Sequence, residues 1–210
     1  MRRLLDVGIN RLSNLLHDMS RVSQECVAMA IDAYLNDRVV VQEVYAKTNQ
    51  LAMLKEEVND LAIELMIRYQ PVAADLRFIS SCMEVAYDLV RFGRYAYDIA
   101  QVREQFGDLS NCDKRMIASM SDIVSRMLRD SIDAFNSKDK ELAERLIRID
   151  DMVDSSYRNN LNRIVDNGGA IDLRCALSSV LVMRYLERIA DHAVYIGELV
   201  RYMVSGERVR

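Results

Sequence analysis

Helix breakers are scarce in this chain: 210 residues hold one proline, seven glycines and no tryptophan. So few interruptions over this length predict long helices joined by short turns. The four cysteines, Cys26, Cys82, Cys112 and Cys175, are far apart and form no C-x-x-C pair. That spacing excludes a zinc-ribbon or thioredoxin-like motif, and the thiols are expected to be reduced and mostly buried. His17 and His192 are the only histidines, which excludes a histidine-rich metal site and leaves little material for a nucleophile–base pair. There is no basic excess: 28 Lys and Arg against 32 Asp and Glu give a net charge of −4. A nucleic-acid binder working by bulk electrostatics is therefore not expected. No uninterrupted apolar run approaches the ~20 residues that span a bilayer. The start, Met1-Arg2-Arg3-Leu4-Leu5-Asp6, reads unlike a signal peptide. The expectation is a cytoplasmic protein, peripheral to a membrane only through partners.

Half of the residues are hydrophobic, and their spacing is that of amphipathic helices. The pattern predicts an all-α chain with six helices, over about 3–35, 37–69, 75–106, 111–136, 138–166 and 172–205. Gln70-Pro71 ends the second, because a residue before proline avoids the helical region. Asp75 and Asp172 are expected N-caps. Ser110 and Asp113 stand at capping-box spacing before the fourth helix, and Asn167-Gly168-Gly169 marks the turn after the fifth. The halves repeat. Asp75-Leu76-Arg77 returns as Asp172-Leu173-Arg174, and at the same offset Ser81 matches Ser178, Leu89 matches Leu186 and Arg91 matches Arg188. Two tandem three-helix bundles, residues 1–107 and 108–210, account for this repeat. Tyr69, Tyr87, Tyr95 and Tyr97 are expected to pack between bundles or subunits.

The polar residues carry one unusual pattern. Asp150 and Asp154 share a face of the fifth helix, and Glu187 and Asp191 share a face of the sixth. Four carboxylates converging from two antiparallel helices repel one another unless a cation sits among them. Oxygen donors suit hard ions such as magnesium, manganese and iron, and a carboxylate can bridge two of them. The alternative is a solvated helix face, since Arg145, Arg148, Arg158, Arg184 and Arg188 stand close in sequence. Glu198 is a possible outer ligand, and His192 reads as a neighbouring or surface group. In the Asp-Leu-Arg segments, Asp reads as a cap and Arg as a surface residue.

The strings Gln70-Pro71-Val72-Ala73-Ala74-Asp75-Leu76-Arg77 and Leu186-Glu187-Arg188-Ile189-Ala190-Asp191-His192-Ala193 resemble the PhoU family. The resemblance covers about residues 5–205. It implies two pseudosymmetric three-helix bundles, a homodimer, and metal clusters held by acidic pairs spaced four apart. It also implies a negative regulator of phosphate uptake and homeostasis. Such a regulator couples the ATPase of a phosphate ABC transporter to a membrane sensor histidine kinase and needs no catalytic residue. In the second half the acidic pattern is complete: Asp150, Asp154, Glu187 and Asp191. In the first half the matching positions are Thr48, Ala52, Val90 and Arg94. A fixed guanidinium there opposes a metal by charge, so at most one cluster, in the C-terminal bundle, is expected.

Two other functions compete. A carboxylate-bridged iron oxidase needs Glu-x-x-His on two helices, whereas the residue three after Glu187 is Ala190. A metal-free helical interaction module needs only the fold.

Overall fold

A computed structural model of the chain describes residues 4–167 and 169–207. Six helices account for it: α1 (Leu4–Leu35), α2 (Val41–Tyr69), α3 (Ala73–Phe106), α4 (Arg115–Ser137), α5 (Lys140–Asp166) and α6 (Leu173–Ser205). No strand occurs among the described residues. Helices α1, α2 and α3 pack on one another, as do α4, α5 and α6. The two bundles then meet through α3 against α6 and α1 against α4. One apolar core runs through both, from Leu12, Leu51 and Phe92 to Met127, Leu146 and Leu186. The all-α, two-bundle architecture read from the repeat is the one observed.

The helix ends show which local signals decided. Gln70 closes α2 in the left-handed region, with its N–H on Met66 O at 3.1 Å, and Pro71 follows. Asp139 and Asp172 cap α5 and α6, accepting from Leu142 N at 2.9 Å and Cys175 N at 3.1 Å. Asp75 is not a cap: α3 begins two residues earlier, which puts Asp75 in its first turn, where a carboxylate complements the helix dipole. Helix α2 starts at Val41, four residues beyond the expected Asp37. Asp37 is drawn off to bind Arg103 Nη2 at 3.1 Å and Leu109 N at 3.0 Å. The turn after α5 closes through Ala170 N on Asn167 O at 2.8 Å, and Gly168 itself lies outside the described residues.

Two cysteines overturn the expectation of free thiols. Cys112 and Cys175 form a disulfide that joins the α3–α4 loop to the first turn of α6. That bond and the fully buried Leu109 hold residues 109–114 out of helical register. Helix α4 therefore starts at Arg115, with Lys114 rather than Ser110 at the cap position. Cys26 and Cys82 are free and buried as expected, and burial pushes both thiols up to about 12.

Candidate functional site

Helix spacing puts Asp150 and Asp154 one turn apart on α5, on either side of the buried Val153. Glu187 and Asp191 lie one turn apart on α6. The two helices come close because Gly197 has no side chain: a Cβ there would stand 3.2 Å from Ala143 O on α5. Asp150 is the centre of the group electrostatically. Burial raises its carboxyl to about 6, and the charges of Asp191, Asp154, Asp151 and Glu187 push in the same direction. Its Oδ1 is buried without a hydrogen-bond partner, an uncommon and costly state for a carboxylate. Asp191 is raised as well, by burial first, against the pull of Arg188.

The other three acids have arginine partners. Arg184 pairs with Glu187, Arg188 with Asp191 at 3.0 Å and Glu187 at 3.6 Å, and Arg158 with Asp154 at 3.9 Å. In this arrangement no three His, Cys, Asp or Glu side chains among the described residues are gathered as a metal ligand set. The donors fit a hard cation all the same. They are all carboxylates, one of them has an orphaned oxygen, and their fields already overlap at Asp150.

The matching face of the N-terminal bundle is built differently. Thr48 Oγ1 donates back to Val44 O at 2.8 Å, and Val90 packs against the core. Arg94 binds Asp98 at 3.3 Å and lies over the Tyr97 ring, which leans on Tyr45 at 5.5 Å. One paired cation and three uncharged side chains, Thr48, Ala52 and Val90, occupy the positions where α5 and α6 set acids.

The chain matches the model of the PhoU domain over residues 16–102 and 117–200, one stretch in each bundle. It belongs to the PhoU family. A "Phosphate-specific transport system accessory protein PhoU homolog 1" from Methanothermobacter thermautotrophicus is 30% identical over 94% of both chains. A "Phosphate-specific transport system accessory protein PhoU homolog" from Pseudomonas putida is 29% identical over 92% of this chain and 81% of its own. The crystal structure of PhoU from Pseudomonas aeruginosa superposes with a TM-score of 0.87 at 27% identity, covering 96% of this chain and 99% of that one.

Three features of this PhoU-family chain escaped sequence reasoning. His192 is a neighbour of the acids, its charge acting on Asp191, but it is not a surface group. It is 9% exposed and its Nδ1 lies 2.7 Å from Asp88 Oδ1 of the other bundle. Glu198 lines a cleft between α3 and α6 beside His192. Arg77 is not a free surface residue, because its Nε donates to Met203 O in the last turn of α6 at 3.3 Å. The repeat held a signal for the first. At the offset that relates α3 to α6, Asp88 falls on Tyr185 and His192 on Tyr95. Tyr95 and Tyr185 do stack at 6.4 Å, so the Asp88–His192 contact and the ring pair are symmetry mates. Of the four tyrosines singled out in the sequence, Tyr87 and Tyr95 pack on His192 across the bundle interface. Tyr97 stays within its own bundle.

Proposed function

We propose that this chain regulates phosphate uptake as a cytoplasmic, non-enzymatic adaptor. It restrains a phosphate ABC transporter and the sensor histidine kinase coupled to it, acts as a homodimer, and carries one metal site in the C-terminal bundle. Support for the transport role comes from family membership over both bundles and from relatives named as accessory proteins of phosphate-specific transport. No helix among the described residues is long and apolar enough to cross a membrane, so a membrane partner would be met from outside the bilayer. Cells lacking the chain are expected to take up phosphate when phosphate is already plentiful, and uptake of labelled phosphate checks this.

One observation carries the metal site: Asp150, with its unpartnered oxygen, lies in the combined field of Asp154, Glu187 and Asp191. Asp150 and Asp154 would hold the ion from α5, and Glu187 and Asp191 from α6. A bound iron, manganese or magnesium ion would supply the positive charge that Asp150 lacks and tie α5 to α6. Arg184 and Arg188 are more than a third exposed, free to turn to solvent when that charge arrives. The deciding measurement is metal content by plasma mass spectrometry, for the parent and for Glu187→Ala/Asp191→Ala. A hard metal in the parent and none in the variant supports the site. No metal in either, after loading with iron, manganese and magnesium, favours a metal-free module. The arginine pairs on Glu187 and Asp191 support that second reading.

A further inference from the structure

Apart from the acid face, a cleft of about 430 Å³ opens between the bundles. Helix α3 contributes Glu84, Tyr87 and Asp88, and α6 contributes His192, Tyr195 and Glu198. Neither lysine nor arginine lines it. The Arg91 guanidinium, whose charge reaches Asp88, lies 4.6 Å over the Tyr95 ring and bonds the Tyr95 hydroxyl rather than lining the cleft. Three carboxylates thus face one imidazole. Asp88 is spent on His192, deep in the wall, which leaves Glu84 and Glu198 without a counter-charge in the cleft. Tyr87 and Tyr195 stand about half exposed, at 50% and 49%, with their rings packed around the imidazole at 6.2 and 5.4 Å.

This chemistry selects for one kind of guest. Ring faces and carboxylates both attract cations and repel phosphate. A metal ion would answer the carboxylates alone and leave the two half-exposed rings unused. A planar guanidinium satisfies both features: it stacks on a phenol ring and pairs edge-on with a carboxylate. We propose that this cleft receives an arginine side chain from a partner polypeptide, stacked on Tyr87 or Tyr195 and paired with Glu198 or Glu84. The open mouth and half-exposed rings suit a side chain presented on a protein surface. The proposal rests on the adaptor reading only for the source of the arginine, and not at all on the metal.

The test is an NMR titration of the full chain with acetyl-Gly-Arg-Gly-amide, with the citrulline peptide of the same shape as control. The arginine peptide is expected to saturate at millimolar concentration, on the order of the weakest specific contacts. It should shift the His192 ring signals and move its own δ-protons upfield under a tyrosine ring. Glu198→Gln and Tyr195→Leu, both at the cleft surface, are each expected to weaken it by about tenfold, the usual scale for losing one partner of such a contact. Equal binding of the citrulline peptide, or no effect of either variant, overturns the proposal. Free argininamide binding as tightly as the peptide would make the cleft a small-cation site and overturn the docking role. No partner protein is present, so failure here speaks against the cleft alone. An intact cleft in a chain that has no influence on phosphate uptake would speak against the adaptor reading instead.

Discussion

On α5 and α6 the C-terminal bundle sets Asp150, Asp154, Glu187 and Asp191, where the N-terminal bundle has Thr48, Ala52, Val90 and Arg94 on α2 and α3. Both faces sit on equivalent backbones over one core. Fold stability therefore does not require the acids: the N-terminal bundle shows a complete α2–α3 contact made by a hydroxyl, a methyl, an isopropyl group and a paired guanidinium. Nor does the ionised Asp150 stabilise its own bundle, since burial and the neighbouring acids oppose its ionisation. A group retained at a cost to the fold is most simply explained by what it binds. The same reasoning applies at the bundle interface, where the symmetric contact is Tyr95 on Tyr185 at one end and Asp88 on His192 at the other.

The largest expected effect breaks the comparison at the covalent level, because only the C-terminal bundle carries a cross-link. It closes a loop with a sequence separation of 63 residues, a constraint of up to about 4 kcal/mol on the unfolded chain. Cys112→Ser/Cys175→Ser is expected to lower the melting temperature by roughly 8–16 °C, at 2–4 °C per kcal/mol for a chain of this size. Scanning calorimetry with and without reductant checks it: reductant should move the parent toward the variant and leave the variant unchanged.

Next comes the interface. Asp88→Leu leaves His192 buried without its partner and is expected to cost about 2 kcal/mol, the scale for an unsatisfied buried polar group. At the symmetry-related position, Tyr185→Leu keeps apolar bulk and loses about 1 kcal/mol of ring stacking. Urea unfolding of the two variants measures the difference. Equal losses would show that the Asp88–His192 contact is no more than filler.

The smallest effect sharpens the contrast between the helix faces. The Asp150 carboxyl titrates at about 6 in the folded chain, above the ordinary aspartate value of 3.8. Its contribution to stability is then fully present below about 4 and is lost as the pH rises through 6. With metal removed, the melting temperature should rise by a few degrees on acidification from pH 7 to 5. Asp150→Asn should reduce that rise and melt slightly above the parent at pH 7. An identical pH profile for parent and variant would remove Asp150 from the account. Asp191, Asp88 and Asp98 are also raised by burial, so the difference between the two proteins is the quantity to read.

The fold was legible because its signals are local. Apolar spacing, Pro71 and the cap Asp172 each act within one or two turns, and the Asp-Leu-Arg repeat marked two related halves. The acids were legible for the same reason, since residues four apart on one helix share a face. What was missed depends on distant partners. The start of α4 is set by Cys175, 63 residues from Cys112. His192 is set by Asp88, 104 residues away. Arg77 is set by the far end of α6, 126 residues on. Nothing in the neighbourhood of these residues distinguishes a buried arginine or histidine from an exposed one. The arginines around Glu187 and Asp191 were seen in the sequence, but whether they or a metal balance the acids is a choice that spacing leaves open.

The unbroken core through α3 and α6 has a mechanical consequence. Two domains on a linker can rotate, and a regulator built that way signals by opening and closing. Here the middle helices of both halves share buried side chains along their length, and the end of each is held near the start of the other, Arg77 on Met203 and Arg174 beside Gly107. Such a body has no hinge between its halves. A ligand on the α5–α6 face would then be felt elsewhere through a change in stiffness or charge, with the two halves moving as one piece, a ruler rather than a clasp.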